Sequence, residues 1–309
     1  MQADAHLERA AVQVKAVLEG KLHAPQVKAF FDEATFTATY VVSDAATRKA
    51  AIIDSVWNFD QPSARTSFDS ADAILAYVEE AGLSVEWILE THVHADHLSA
   101  APYLQERLGG KLAIGREIVT VQGVFGKIFN EGTEFVRDGS QFDRLLDDGE
   151  QLMIGEIPLI ALFVPGHTPA DMAYVVGDAL FTGDTMFMPD YGSARADFPG
   201  GDARQLFRSV RRLMKLPDQT RVFLCHDYKA PNREEFVWET TMLAERTGNV
   251  HIHEGVSEDQ FVEMRTQRDA TLAMPKLILP SLQINMRGGR LPEPEDNGVS
   301  YLKAPVNLL

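Results

Sequence analysis

The chain has 309 residues, of which 45% are hydrophobic and 24% charged, so it can bury a full core. Its formal net charge of −16 repels phosphate backbones and anionic lipid, and we expect neither nucleic acid nor a membrane as a partner. A single cysteine, Cys225, excludes an intramolecular disulfide. Because no apolar run is long enough to span a membrane and no signal-peptide pattern occurs, we expect a cytoplasmic protein.

The first third of the chain alternates between helical and strand-like patterns. An amphipathic helix is predicted over about residues 1–20, with an apolar stripe at Leu7, Ala11, Val14 and Leu18. The β-rich runs 35–43 and 48–54 predict a hairpin, because the polar turn 44–47 joins them. The next predicted elements are a helix at 70–82, a buried strand at 85–91, a helix at 97–109 and a strand at 111–115.

The rest of the chain continues this alternation. Strands are predicted at 157–164, 173–177, 179–183 and 221–225, helices at 202–215, 232–246 and 257–271, and an irregular tail from Gly288. Strands that alternate with helices predict a layered α/β fold. We interpret residues 1–309 as a single domain that has an N-terminal helix and a C-terminal extension over about 250–309.

Four residues of metal-binding type occur within six positions, in the segment 91–97 of sequence THVHADH. They are His92, His94, Asp96 and His97. The segment follows a predicted buried strand, and α/β folds place their ligands in loops at the carboxyl ends of strands. The alternate positions of His92 and His94 put both imidazoles on one side of an extended loop. This pattern predicts a metal site.

Three further candidate ligands also follow predicted strands. His167 lies in a Pro-Gly-His-Thr turn after strand 157–164, Asp184 follows 179–183, and His226 follows 221–225. A lone histidine at a strand end is more often a hydrogen-bonded loop residue. Because the same placement is repeated beside the histidine-rich segment, we expect these residues to complete the site. Asp54, at the end of 48–54, could orient a ligand imidazole by a hydrogen bond.

The ligand types alone leave the number of metals open. Histidine and aspartate suit one redox-active ion with vacant positions, and they equally suit a pair of ions that share a bridging Asp184. In the second case the second ion would be bound by His94, Asp96, His97 and His226.

The motifs THVHADH, PGHT, TGD and the late CHD resemble those of the metallo-β-lactamase superfamily. The resemblance covers about residues 30–230 and implies a four-layered αββα sandwich with metal at one edge. Since the superfamily contains hydrolases, nucleases, redox enzymes and dioxygenases, it does not specify the reaction.

Three other segments resemble the bacterial type of persulfide dioxygenase, also called sulfur dioxygenase. They are YGSARADFPGGDA (191–203), HDY (226–228) and PSLQINMRGGRLPE (280–293), whereas the GCGRFFEG segment of glyoxalase II proteins is absent. The resemblance implies one Fe(II) per chain, oxidation of glutathione persulfide by O2 to sulfite and glutathione, and a possible homodimer. It implies that the iron ligands are His92, His167 and Asp184, with His94, Asp96, His97 and His226 hydrogen-bonding around them.

An anionic substrate such as glutathione persulfide requires cationic contacts in an acidic protein. Arg195 is the first candidate, because it follows Asp184 on a loop that must fold over the site. Arg287 and Arg290 are further candidates, and Tyr228 could donate its hydroxyl to the substrate or to oxygen. We expect Cys225 to be a small buried hydrophobe, and His251 and His253 to be solvated.

Two other functions compete with the dioxygenase. One is a hydrolase of glutathione thioesters (as in glyoxalase II) or of lactones, with two Zn(II) ions and a bridging hydroxide. The other is a metal-binding or interaction protein without catalytic activity on the same fold. The full set of ligands argues against the last, because a protein without activity would be free to lose some of them.

Overall fold

The structure, a computed structural model, describes residues 2–308 and is built largely from two six-stranded sheets. Its strands are β1 (Gln26–Asp32), β2 (Thr37–Ser43), β3 (Lys49–Ile53), β4 (Val56–Asp60), β5 (Arg65–Ser67), β6 (Ser84–Leu89), β7 (Leu98–Ser99), β8 (Lys111–Gly115), β9 (Arg144–Leu146), β10 (Gln151–Ile154), β11 (Ile157–Phe163), β12 (Met172–Val176), β13 (Ala179–Phe181), β14 (Arg221–Phe223) and β15 (Glu239–Thr241). Its helices are α1 (Gln2–Leu18), α2 (Asp69–Glu80), α3 (Ala101–Leu108), α4 (Ile118–Ile128), α5 (Ala203–Leu213), α6 (Met242–Gly248), α7 (Glu258–Asp269) and α8 (Ile278–Asn285).

The two large sheets are both mixed. The first has the order β1-β2-β3-β6-β8-β9, in which β1, β2 and β3 are antiparallel and β3, β6, β8 and β9 are parallel. The second has the order β10-β11-β12-β13-β14-β15, and its only parallel pair among the described strands is β13 with β14. A small sheet, β5-β4-β7, lies beside them.

The central core lies between the two large sheets. On β2 the alternate residues Ala38, Tyr40 and Val42 belong to this core, whereas Val41 points to the opposite side. This period of two buries both faces of the strand. From the second sheet, Tyr174 and Phe181 pack into the same core.

Helices cover the outer face of each large sheet. The first sheet packs against α2, α3 and α4, through residues such as Ile74 and Leu104. The second packs against α1, α5 and α7, through Val14, Val210 and Phe261. Burial on both faces of each sheet therefore gives four layers, and the predicted αββα sandwich is confirmed.

Most elements predicted from periodicity are present, but two predicted helices are wrong in part. The helix predicted at 232–246 is helical only from Met242, because residues 239–241 pair with β14 and the Val237 amide donates to Asp227. The helix predicted at 97–109 begins at Ala101, because Leu98–Ser99 pair with β4. In α1 the buried stripe passes through Ala10 rather than Ala11, and Leu18 is exposed.

Within residues 2–308, no helix combines the length and the apolar character needed to cross a bilayer.

Candidate metal centre

The histidine-rich segment is held at the point where two parallel strands end together. Ile53 of β3 pairs with Leu89 of β6, so that Asp54 lies beside Thr91. The Asp54 carboxylate accepts hydrogen bonds from the Thr91 amide and hydroxyl at 2.8 and 2.9 Å, and the His94 Nε2 atom lies 2.9 Å from it. Burial raises the pKa of Asp54, but the His94 imidazole and the Thr91 hydrogen bonds outweigh it and hold that pKa below its usual value.

The second sheet supplies the remaining candidates from three strand ends. His167 lies in a tight turn after β11, in which Gly166 has φ 148° and any Cβ would collide with the Leu206 amide of α5. Asp184 lies in a short 3-10 turn (Gly183–Thr185) after β13, and His226 follows β14. Because β13 and β14 are parallel neighbours, their carboxyl ends bring these side chains to one edge.

Two groups of ligand atoms meet around Asp184. In the first group, Asp184 Oδ2 lies 4.0 Å from His92 Nε2 and 3.6 Å from His167 Nε2. In the second, His226 Nε2 lies 3.3 Å from Asp184 Oδ1 and 3.1 Å from Asp96 Oδ2. The ligand atoms of each set lie within 4.8 Å of one another: His92, His167 and Asp184 in one, and His94, Asp96, His97 and His226 in the other. The structure thus brings all seven predicted ligand candidates together.

Buried polar atoms in these groups lack hydrogen-bond partners in the described part of the chain. They are His92 Nε2, His94 Nδ1, Asp96 Oδ2, His97 Nε2, Asp184 Oδ1 and His226 Nε2. Each unsatisfied buried polar atom costs about 1–3 kcal/mol, so such a cluster fits a cation that would satisfy several atoms at once. Burial, with His94 and His167 nearby, holds the pKa of His92 well below its usual value, which keeps the imidazole neutral as a ligand must be.

His94 is the member held most firmly by carboxylates. Its Nε2 atom lies 2.9 Å from Asp54 and 3.3 Å from Glu90. Although burial lowers the pKa of His94, the two carboxylates outweigh it and raise that pKa well above the usual value. Glu90 was not predicted from the sequence, although it directly precedes the histidine-rich segment at the end of β6.

Asn285 is a second residue that the sequence did not single out. Its amide donates to the backbone carbonyls of His94 and His97 at 2.9 and 2.8 Å, and its Oδ1 atom accepts from the Ser99 amide. Through Asn285, the C-terminal segment PSLQINMRGG therefore fixes the backbone of the histidine-rich segment. The only sequence feature that pointed to Asn285 was the resemblance of this segment to the persulfide dioxygenase motif.

A cavity of about 990 Å³ opens above the metal-binding groups. Asp96, His167 and Asp184 form part of its lining. Its aromatic wall comprises Phe36, Phe59, Phe187, Tyr191, Phe198 and Tyr228, and the cations that line it are Arg65, Arg195, Arg265, Arg268 and Lys276. Tyr228 stacks on His226 with a centroid distance of 5.6 Å and an interplanar angle of 17°.

Of the predicted substrate contacts, Arg195 and Tyr228 line this cavity and two others do not. The Arg195 guanidinium is already bound to Asp197 at 2.6 and 2.8 Å and to the Ala273 carbonyl. Arg287 points elsewhere, because it pairs with half-buried Glu131 at 2.8 Å. Arg290 approaches the Gln141 carbonyl at 3.4 Å. The expectation that Arg287 and Arg290 contact the substrate is corrected on these grounds.

The expectation for His251 is also corrected, whereas Cys225 is buried as expected. His251 is half-buried, and its Nδ1 atom accepts from the Ser193 amide at 3.0 Å. Burial, with Arg265 and Arg268 nearby, lowers the pKa of His251 to about 4, so the ring is neutral at physiological pH.

Comparison with known families agrees with this geometry. The model of the metallo-beta-lactamase superfamily matches residues 33–226, which include every candidate ligand. The chain belongs to the metallo-beta-lactamase superfamily.

Similar members of the superfamily differ in the functions that their names state. A probable metallo-hydrolase of Burkholderia pseudomallei is 56% identical over 92% of this chain and 99% of its own length. Glyoxylase B2 of Dictyostelium discoideum is 46% identical over 92% of this chain and 98% of its own length. The human mitochondrial persulfide dioxygenase ETHE1 is 27% identical over 85% of this chain and 88% of its own length.

Among solved structures, ETHE1 from Myxococcus xanthus is similar over 86% of this chain and 100% of its own, with a TM-score of 0.68 and 29% identity. Superfamily membership and the two groups of buried ligand atoms together support a metal-binding enzyme.

Proposed function

We propose that the chain is a persulfide dioxygenase, in which one Fe(II) is held by His92, His167 and Asp184. The observation that carries the proposal is the compact group of two imidazoles and one carboxylate beside the cavity. His94 lies outside this group and belongs to the second one, in which its Nδ1 atom lacks a hydrogen-bond partner. A set of two histidines and one carboxylate leaves coordination positions open, which suits iron oxygenases. The likeness to ETHE1 proteins adds support.

The reaction balances without any further reductant. Glutathione persulfide, O2 and water give glutathione, sulfite and two protons; the sulfane sulfur loses four electrons and O2 gains four. Bound Fe(II) would supply the open positions that bring the persulfide sulfur and O2 together. The chain itself would orient the His92 and His167 imidazoles, through Thr91 and the Arg195 carbonyl.

We propose that the cations of the cavity hold the anionic glutathione part of the substrate. Among the described residues, no ion pair engages Arg65, Arg268 or Lys276, whereas Asp197 neutralises Arg195. Arg195 would therefore shape the wall more than it attracts the anion. Tyr228, which stacks on His226 and lines the cavity, would donate its hydroxyl to a ligand there.

Oxygen consumption tests this function directly. Iron-loaded protein that has been purified anaerobically should consume about one O2 for each sulfite formed from glutathione persulfide. The matched reaction is hydrolysis of a glutathione thioester by zinc-loaded protein. If the iron-loaded protein consumes no O2, the dioxygenase proposal is wrong.

A pair of aspartates equal in exposure tests the ligand assignment. Asp184 and Asp178 are both 8% exposed, but Asp178 pairs with Arg221 and lies outside both ligand groups. We expect Asp184→Ala to abolish iron retention, because it removes the carboxylate of the site, and Asp178→Ala to keep the iron. Metal analysis after desalting measures both, and equal iron content in the two variants contradicts the assignment.

A binuclear zinc hydrolase is the second candidate, and a specific observation favours it. The second group of unsatisfied ligand atoms could bind another ion, with Asp184 as the bridge. The relatives named metallo-hydrolase and glyoxylase point the same way. In that case the protein should hold two zinc ions, of which His226→Gln would remove one. In a mononuclear iron enzyme, the same variant should keep its single iron.

A further inference from the structure

We propose that Arg265 and Asp269, both on α7, are positioning residues for the metal centre. They fix the loop 191–198, and the Arg195 carbonyl of that loop orients the His167 imidazole. The inference rests on the metal-binding part of the proposed function, and it holds for either metal. It gives the C-terminal part of the chain a role at the metal.

The two side chains hydrogen-bond to the loop backbone on either side of Arg195. Arg265, which is 1% exposed, donates from Nε to Asp269 Oδ1 at 2.8 Å, and its Nη2 atom lies 2.7 Å from the same oxygen. Its Nη1 atom donates to the Ser193 carbonyl at 3.0 Å. On the other side, Asp269 Oδ2 accepts from the Ala196 amide at 2.9 Å. One buried ion pair thus holds the backbone at both Ser193 and Ala196.

The loop in turn fixes the orientation of the His167 imidazole through the Arg195 carbonyl. The Arg195 carbonyl lies 2.8 Å from His167 Nδ1, and since a carbonyl only accepts, Nδ1 must carry the proton. The lone pair is therefore on Nε2, the atom that lies 3.6 Å from Asp184 Oδ2. A shift of the carbonyl would free the ring to rotate or to change tautomer. Groups that orient ligand imidazoles in this way typically change metal affinity about 10- to 100-fold.

Stability alone does not account for a buried ion pair at this place. Removing two charges from water is costly, and apolar residues of similar volume are often as stabilising. Arg265 is nevertheless the largest fully buried side chain among the described residues, and it lies against the loop 191–198. A positional role explains why one polar atom of each residue, Arg265 Nη1 and Asp269 Oδ2, bonds to the loop backbone.

The α5 helix offers a control pair that is more exposed. Arg208 of α5 pairs with Glu258 of α7 at 3.0 Å, and no hydrogen bond or ion pair among the described residues joins either side chain to the loop 191–198. The test is therefore Arg265→Met/Asp269→Ala against Arg208→Met/Glu258→Ala. Removing both partners together avoids leaving one buried charge unpaired. Arg265→Lys is a milder third variant, which keeps the charge next to Asp269 but cannot reach Ser193 as well.

The readouts are metal affinity, by chelator competition, and the absorption spectrum of the Co(II)-substituted protein. We expect the Arg265→Met/Asp269→Ala variant to bind metal about 10- to 100-fold more weakly, with a shifted Co(II) spectrum at saturation. The control should keep the wild-type affinity and spectrum, and Arg265→Lys should lie between them. A folded double variant with wild-type affinity and spectrum overturns the proposal. If the double variant does not fold, wild-type behaviour of Arg265→Lys overturns it. Because no reading depends on turnover, failure of the dioxygenase activity would be a separate result.

Discussion

Glu245 is a buried carboxyl group whose protonation is linked to stability. Its Oε2 atom accepts from the Asn249 amide at 2.7 Å, and its Oε1 atom lacks a described partner. Burial raises the pKa of Glu245 to about 8. A folded pKa above the unfolded value of 4.5 means that its stabilisation is present below pH 4.5 and is lost as the pH rises through about 8.

We therefore expect Glu245→Gln to be more stable than the wild type at pH 8.5, by on the order of 5 kcal/mol. At pH 4.5 the two proteins should be nearly equal, because the wild-type carboxyl is then protonated when folded. Urea unfolding at both pH values measures the difference. A difference that does not change between them means that Glu245 titrates normally.

Arg268 is one of the cations that line the cavity, and we propose that it contacts the anionic substrate. Its guanidinium lies 5.9 Å from the Tyr191 ring, which in turn contacts Tyr228 above His226. Two aromatic rings, Tyr191 and Tyr228, therefore lie between Arg268 and His226. We expect Arg268→Gln to raise KM for glutathione persulfide about tenfold and to leave kcat nearly unchanged, because the contact is remote from the reacting atoms. Steady-state kinetics measure both constants. The control is Arg204→Gln, since Arg204 is exposed and pairs with Glu258. An unchanged KM would place the anion elsewhere.

At the level of single residues, the sequence predicted which candidate ligands come together better than which cations line the cavity. The seven ligand candidates follow strand ends, and strand ends can be read from local patterns. The environments of Arg195 and His251 depend on partners far along the chain, such as Ala273 for Arg195 and Ser193 for His251. Local sequence does not reveal whether a cation is already paired, which is why Arg287 was misassigned to the substrate.

The hairpin of β2 and β3 offers a test of how an element positions the site. Its end at Asp54 has φ 53°, and the carboxylate there holds both Thr91 and His94. We expect Asp54→Asn to weaken metal binding about 10- to 100-fold, because the amide cannot accept from all of these donors. Asp44 is a control on the same hairpin, since it is equally buried but holds the Glu156 amide near the other end. Isothermal titration with Zn(II) compares Asp54→Asn with Asp44→Asn. Equal Zn(II) affinities would show that Asp54 does not support the metal centre.

Elements could be predicted where one face is buried and the pattern is regular. Helix α2 meets that condition, whereas the hairpin was predicted from its β-rich runs and polar turn, because β2 is buried on both faces. Edge strand β1 was missed, because none of its residues is fully buried and its alternation is confined to residues 26–29. The helix predicted at 232–246 failed for a tertiary reason. The Asp227 carboxylate accepts hydrogen bonds from the Arg233 side chain and the Val237 amide. The residues that follow then pair with β14 instead of forming a helix.

At the scale of the whole molecule, the candidate metal centre lies where strand ends of the two sheets meet. His92 follows β6 of the first sheet, whereas His167 and Asp184 follow strands of the second. A metal bound by all three would cross-link the two halves of the sandwich. Ligand that binds only the folded state stabilises it by about 2.7 kcal/mol at a concentration 100 times its Kd.

Removing the metal should therefore destabilise the strand ends of both sheets, not those of one sheet alone. We expect a chelator to lower Tm by several degrees and to speed amide exchange near Leu89 and near Phe181 together, because each strand end loses the same cross-link. Exchange at Tyr40, in the core between the sheets, should change less, since apolar packing holds it without metal. Hydrogen exchange followed by mass spectrometry resolves these segments. Faster exchange confined to the second sheet would mean that His92 does not share the ion, and the assignment of a ligand from the first sheet would then be wrong.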